Sequence, residues 1–162
     1  MFNSYFILKY IHIISAMLMV GTGFGSALYV FFSNRFGNLS SQYFTNRMVV
    51  FCDWVITTPT ILIQPITGLM LGVKMGVAFD SPWFLNIYFF YGLVGCAWLP
   101  VVWLQIKMKQ MTDLAYKTGS PLDYRYKRYQ YCWEGLGYIG FSGVIILFYL
   151  MIFKGPIIPF FE

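Results

Sequence analysis

From about Trp83 to Ile106 the chain carries no Asp, Glu, Lys or Arg. A helix needs about 20 largely apolar residues to cross a hydrocarbon layer of about 30 Å, and this stretch is long enough. Three others resemble it: about Tyr5 to Ser33, interrupted only by Lys9 and His12 near its start; about Met48 to Val73, with Asp53 its one charge; and about Gly135 to Phe153. In lipid each backbone amide and carbonyl must be satisfied within the chain, so a lone apolar stretch has to become a helix. The expected fold is an all-α integral membrane protein, a bundle of four transmembrane helices over 5–33, 48–73, 83–106 and 135–153. It forms a single membrane domain over 1–162, with basic loops at 34–47 and 107–132.

Composition excludes the soluble alternatives. The chain is 59% hydrophobic and 10% charged, against about 25% charged in an ordinary soluble domain. A soluble enzyme, a disordered chain and a disulfide-stapled module are all ruled out on that balance. Cys52, Cys96 and Cys132 are an odd number at separate places without metal-ligand spacing, and read as small buried hydrophobes. With no basic residue in the first eight and a long apolar stretch after them, the start is not expected to be a cleaved signal.

Eight of the eleven Lys and Arg residues fall in the two basic loops: Arg35 and Arg47 in one, Lys107, Lys109, Lys117, Arg125, Lys127 and Arg128 in the other. By the positive-inside rule these loops are cytoplasmic and both termini lie on the outer side, in a multi-pass protein of the bacterial inner membrane. The run from Tyr124 to Tyr129 reads as a collar at the lipid headgroups, with no role in binding nucleic acid. Ser81-Pro82 and Ser120-Pro121 are helix-start signals, the second with Asp123 in the expected first turn.

Glycine pairs at close-packing spacing occur at Gly21 and Gly25, Gly68 and Gly72, and Gly72 and Gly76, and the last helix carries Gly135, Gly137, Gly140 and Gly143. Membrane lipids are the expected surroundings, and further copies or other membrane subunits the expected protein partners.

The few polar groups inside the spans carry the functional signal, because lipid makes each costly. His12 is the one histidine, and Gln64 and Asn86 fall at a similar depth. On a helix the face of His12 continues through Ala16, Met19, Gly23 and Ser26, a stripe of mostly small residues beside an imidazole. Such a face suits a flat macrocycle with His12 on its metal, and equally a buried histidine bonded to Gln64 or a backbone carbonyl. Arg47, Asp53 and Glu134 share another depth and are expected to form an ion-pair lock. No catalytic carboxylate pair, nucleophile triad or phosphate loop is present, and the nine Met residues are too scattered for a copper relay. Pro59 should free a carbonyl that Thr57 and Thr58 re-satisfy.

Three blocks carry a resemblance. They are Lys9-Tyr10-Ile11-His12-Ile13-Ile14-Ser15, then Asp53-Trp54-Val55-Ile56-Thr57-Thr58-Pro59 with Gln64-Pro65-Ile66-Thr67-Gly68, and Trp98-Leu99-Pro100-Val101-Val102-Trp103-Leu104-Gln105. In this order they resemble an uncharacterised family of bacterial integral membrane proteins, named only as a domain of unknown function. More distantly the chain is similar to HemJ-type protoporphyrinogen IX oxidases, sharing Lys-x-x-His-Ile-Ile and Ile-Thr-Thr-Pro, and to CopD-like membrane proteins. The HemJ likeness implies haem b in a helical bundle, His12 as the iron ligand, and porphyrinogen or quinol oxidation. The chain departs from that type at about Leu28, where a basic residue is usual, and at about Ile87 or Tyr88, where a lysine is. A different class of function, a non-catalytic subunit or assembly factor of a larger membrane complex, fits the glycine faces.

Overall fold

The computed structural model describes residues 3–155 and 157–158. Helix α1 spans Ser4–Phe36, α2 Leu39–Cys52, α3 Thr58–Met75, α4 Pro82–Thr118 and α5 Arg125–Phe153. A π-helical turn over Asp53–Thr57 joins α2 to α3 without a break, so five helices make four passes, each long and apolar enough to cross a membrane. The outward surface is apolar, as at Val73, Leu99 and Ile152, which are 65%, 65% and 72% exposed. Water would not solvate such a surface, whereas lipid does.

The ends follow from local chemistry. Asn3 accepts from the amide of Tyr5 to cap α1, Asn38 from that of Ser41 to cap α2, and Ser81 from that of Phe84 to cap α4. The turn between α1 and α2 is only Gly37-Asn38. A Cβ on Gly37 would sit 2.6 Å from the Ser33 carbonyl oxygen, so the tightness of the turn requires glycine. Gly76 ends α3 in the left-handed conformation at φ 64°, with Val77 N–H on Gly72 O and Gly76 N–H on Val73 O, the paired bonds of a Schellman cap.

The expected loops are shorter than the charge pattern implies. Residues 39–52 and 107–118 are helix, because α2 and α4 run on past the charge-free core with a buried stripe such as Met108, Thr112 and Ala115. The expected start at Ser120-Pro121 moves to Arg125. Asp123 serves as the end group, its carboxylate accepting from Arg125 N–H and its carbonyl from Tyr126 N–H.

Helices α4 and α5 pack along each other most extensively, while α1 lies along α2, the π turn and α3, and α2 also packs on α4. At the basic-loop end the core is Val30, Val49, Leu104, Met108, Tyr126 and Trp133. There Asn46 Nδ2 donates to Tyr126 Oη at 2.8 Å, and Tyr126 Oη donates to Asn34 Oδ1 at 2.8 Å, tying α1, α2 and α5 together. Toward the termini a second core of Ile87, Phe90 and Leu150 holds α4 to α5, with Trp83 Nε1 donating to Leu150 O at 2.7 Å.

Candidate functional site

Between the α1–α3 pair and the α4–α5 pair, at the end where the termini lie, all four passes line a cavity of about 480 Å³. That volume is within the roughly 300–1,000 Å³ of small-molecule sites. Its wall is largely apolar, with Leu69, Ile87, Leu147 and Phe148, and the polar groups His12, Gln64 and Tyr91 interrupt it. Lys9 and Lys154 also line it.

The imidazole of His12 is fixed from α3. Its Nδ1 lies 2.8 Å from Thr67 Oγ1, and Thr67 Oγ1 lies 2.7 Å from Ile63 O. A hydroxyl has one hydrogen, so Thr67 either donates to Nδ1 or donates to Ile63 O and accepts from Nδ1–H; the second arrangement requires the Nδ1–H tautomer. In the neutral ring this tautomer leaves the lone pair on Nε2, to which no described residue bonds. The ring lies against Gly68, where an added Cβ would come 3.4 Å from Cε1. Gln64 Nε2 donates to His12 O at 2.9 Å and to Ser15 Oγ, pinning the backbone of α1 at the same level.

His12 and Gln64 do meet, but through the His12 carbonyl, while the imidazole bonds Thr67 instead of Gln64. His12, Ala16, Met19 and Gln64 all line the cavity. Gly23 lies outside the lining, and a Cβ there would meet nothing within 4 Å. Asn86 is a correction: it is fully buried but turned to the C-terminal segment, its Nδ2 donating to Pro82 O at 2.8 Å and its Oδ1 accepting from Ile157 and Ile158 N–H at 3.2 and 2.8 Å. Depth along the membrane was matched, but the helix face was not.

The expected lock of Arg47, Asp53 and Glu134 is also corrected. Glu134 pairs with Arg35 at 3.0 Å, Arg47 with Asp113 at 3.5 Å, and none of the ion pairs among the described residues includes Asp53. Equal depth on different helices again gave the wrong faces. At the π turn the back-bonding hydroxyl is that of Thr60, donating to Ile56 O at 2.8 Å and Thr57 O at 2.9 Å, while Thr57 Oγ1 is buried without a partner. Pro59 directly follows the π turn in a helix that runs on without a break, so its missing N–H does leave a carbonyl of the preceding turn without its amide.

Sequence reasoning missed Thr67, Ser15 and Tyr91. The first had a readable signal, since Asp53, Thr57, Thr60, Gln64 and Thr67 recur at steps of four and three, a polar face on an otherwise apolar helix. Among the described residues no group of three or more His, Cys, Asp and Glu side chains gathers to hold a metal ion. One imidazole is too few ligands for a bare ion and enough for an iron that brings four porphyrin nitrogens.

None of the curated proteins and none of the solved structures compared matches this chain. A family model does match, over residues 6–155, nearly its full length. The chain belongs to the family described as "Predicted integral membrane protein (DUF2269)".

Proposed function

We propose that the cavity binds haem b, with His12 as iron ligand, and that the chain is a redox protein of the bacterial inner membrane. The observation that carries this reading is the 2.8 Å contact of His12 Nδ1 with Thr67 Oγ1 on a ring that lines an apolar cavity; with the Thr67 hydrogen on Ile63 O, Nδ1 is the donor and Nε2 is free for iron. Metal-bound histidines are oriented in this way, by a hydrogen bond from the other ring nitrogen. Lys9 and Lys154 supply cations for the acid groups of the macrocycle. Bound haem would supply one-electron redox chemistry. The chain's own residues orient the imidazole, exclude water with the apolar wall, and set the basic end toward the cytoplasm by their charge.

The test is an absorption spectrum of the detergent-purified protein, oxidised and reduced. A Soret band that disappears in His12→Ala supports the reading; no band, or one unchanged in His12→Ala, overturns it. An oxidase of a porphyrinogen or quinol-type substrate arriving from the lipid is the enzymatic form of the proposal. It predicts growth rescue of a strain without protoporphyrinogen oxidase, and failure to rescue refutes that form alone.

A second reading, a non-catalytic subunit or a homo-oligomer, is favoured by one observation. Gly21 and Gly25, one turn apart on the same face of α1, have no neighbouring atom within 4 Å of where a Cβ would stand, so this close-approach face is free for another helix. It predicts a stoichiometric partner on purification and no chromophore.

A further inference from the structure

Asp53 lies in the π turn between α2 and α3, and is 5% exposed. Its carboxylate faces the Thr57 hydroxyl from the same turn and the Gln105 amide from α4. Thr57 and Gln105 are themselves 5% and 7% exposed. Yet Asp53 Oδ2, Thr57 Oγ1 and Gln105 Oε1 are all buried without a well-formed hydrogen bond. Of the charged groups near Asp53 and Gln105 in sequence, Arg47 and Lys109 pair with Asp113, at 3.5 and 3.2 Å, and the Lys107 ammonium lies over the Trp103 ring, 6.0 Å from its centroid.

An ionised carboxylate without a counter-ion is costly inside a membrane bundle. Of the three orphaned oxygens, those of Asp53 and Gln105 only accept while Asp53 is ionised, so the Thr57 hydroxyl then brings the one hydrogen among them. A neutral carboxylic acid supplies a second, because one of its oxygens then carries an O–H donor. A π turn frees backbone geometry at the same point, and such turns recur at functional sites.

We propose that Asp53, Thr57 and Gln105 form a proton-binding site in which Asp53 is held as the neutral acid and donates its O–H to Gln105 Oε1. The proton comes from water and returns to water or to the polar row that begins here. That row is Asp53, Thr57, Thr60, Gln64 and Thr67, every member buried, extending about 20 Å along the helix to the hydroxyl on which His12 rests. It places an exchangeable proton in line with the cavity. The proton site stands without the haem reading; delivery to a redox centre rests on it.

The experiment is infrared spectroscopy of the purified full-length protein at neutral pH, in H₂O and D₂O, as wild type minus Asp53→Asn. The expected difference is the C=O band of a protonated carboxylic acid, moving down in D₂O and missing in the variant. In Gln105→Leu, which keeps Asp53, the band should move to higher frequency as the acid loses its acceptor. If Asp53→Asn removes carboxylate stretches instead, Asp53 is ionised and held by the amide of Gln105 turned the other way, and the proposal is overturned. Should Asp53→Asn fail to fold, Gln105→Leu decides alone: an unmoved acid band overturns the site. No outcome depends on a bound chromophore.

Discussion

The hydroxyl of Tyr91 on α4 donates to the carbonyl of Ile61 on α3. Ile61 is four residues before Pro65, whose ring lacks the N–H that would have served that carbonyl in an unbroken helix. The break in α3 is therefore mended from α4, beside the cavity that Pro65 and Tyr91 both line. Tyr91→Phe leaves the carbonyl unsatisfied and should cost about 1–3 kcal/mol. Pro65→Ala restores the amide, so in that background the same substitution should cost much less. A double-mutant cycle on thermal unfolding in detergent measures the difference, and equal costs in both backgrounds would refute the repair.

The four passes were legible because lipid forbids unpaired charge, and the absence of Asp, Glu, Lys and Arg between Trp83 and Ile106 marks one directly. Helix ends were not, because hydrophobicity reports where lipid stops and not where hydrogen bonding stops. Residues such as Gln42, Asn46 and Lys109 remain helical beyond the apolar spans. Depth was equally readable, at 1.5 Å per residue. Facing was not: Asn86 and Gln64 lie at a like level, yet only Gln64 turns to His12, because rotation about each helix axis is set by packing. Thr67 was within reach of sequence reasoning, since its step of three from Gln64 continues the polar row.

Gly143 and Gly23 separate two uses of glycine that spacing alone treats alike. A Cβ on Gly143 would come 2.6 Å from Val94 Cγ2 of α4, and valine has little rotamer freedom to yield. Gly143→Ala should therefore force α4 and α5 apart at a cost of about 1–3 kcal/mol. Gly23→Ala meets nothing and gains helix propensity of up to about 1 kcal/mol. Thermal unfolding of the two variants should shift in opposite directions, and a loss for Gly23→Ala as large as for Gly143→Ala would contradict the assignment.

The α4–α5 turn carries a pH-dependent contact. Arg125 beside Asp123 holds its carboxyl below the usual value of 3.8, through a side-chain hydrogen bond first and the Arg125 backbone N–H second. A carboxyl depressed in the folded chain contributes stability above its ordinary pKa and loses it as pH falls through the folded value. Carbon-13 titration of Asp123 should therefore give a midpoint below the ordinary carboxylate range. In Arg125→Ala it should rise toward 3.8. A wild-type midpoint at or above that value would show that the contact does not persist in solution.

Thr67 decides which nitrogen of His12 is available, and its removal tests orientation apart from ligation. Thr67→Val keeps the shape of the side chain but takes away the oxygen that accepts from Nδ1–H, so the ring loses both its tautomer preference and its anchor. Groups that orient a metal-bound histidine typically contribute 10–100-fold in affinity. With haem bound through His12, Thr67→Val should weaken haem affinity by about that factor while the Soret band survives at saturating haem; His12→Ala should abolish the band at any concentration. The Ile63 carbonyl keeps its own helical amide partner, but Nδ1–H loses its acceptor, so Thr67→Val should also lower thermal stability without ligand, by about 1–3 kcal/mol. A titration that finds the same haem affinity in Thr67→Val as in wild type would remove the role assigned to this hydrogen bond.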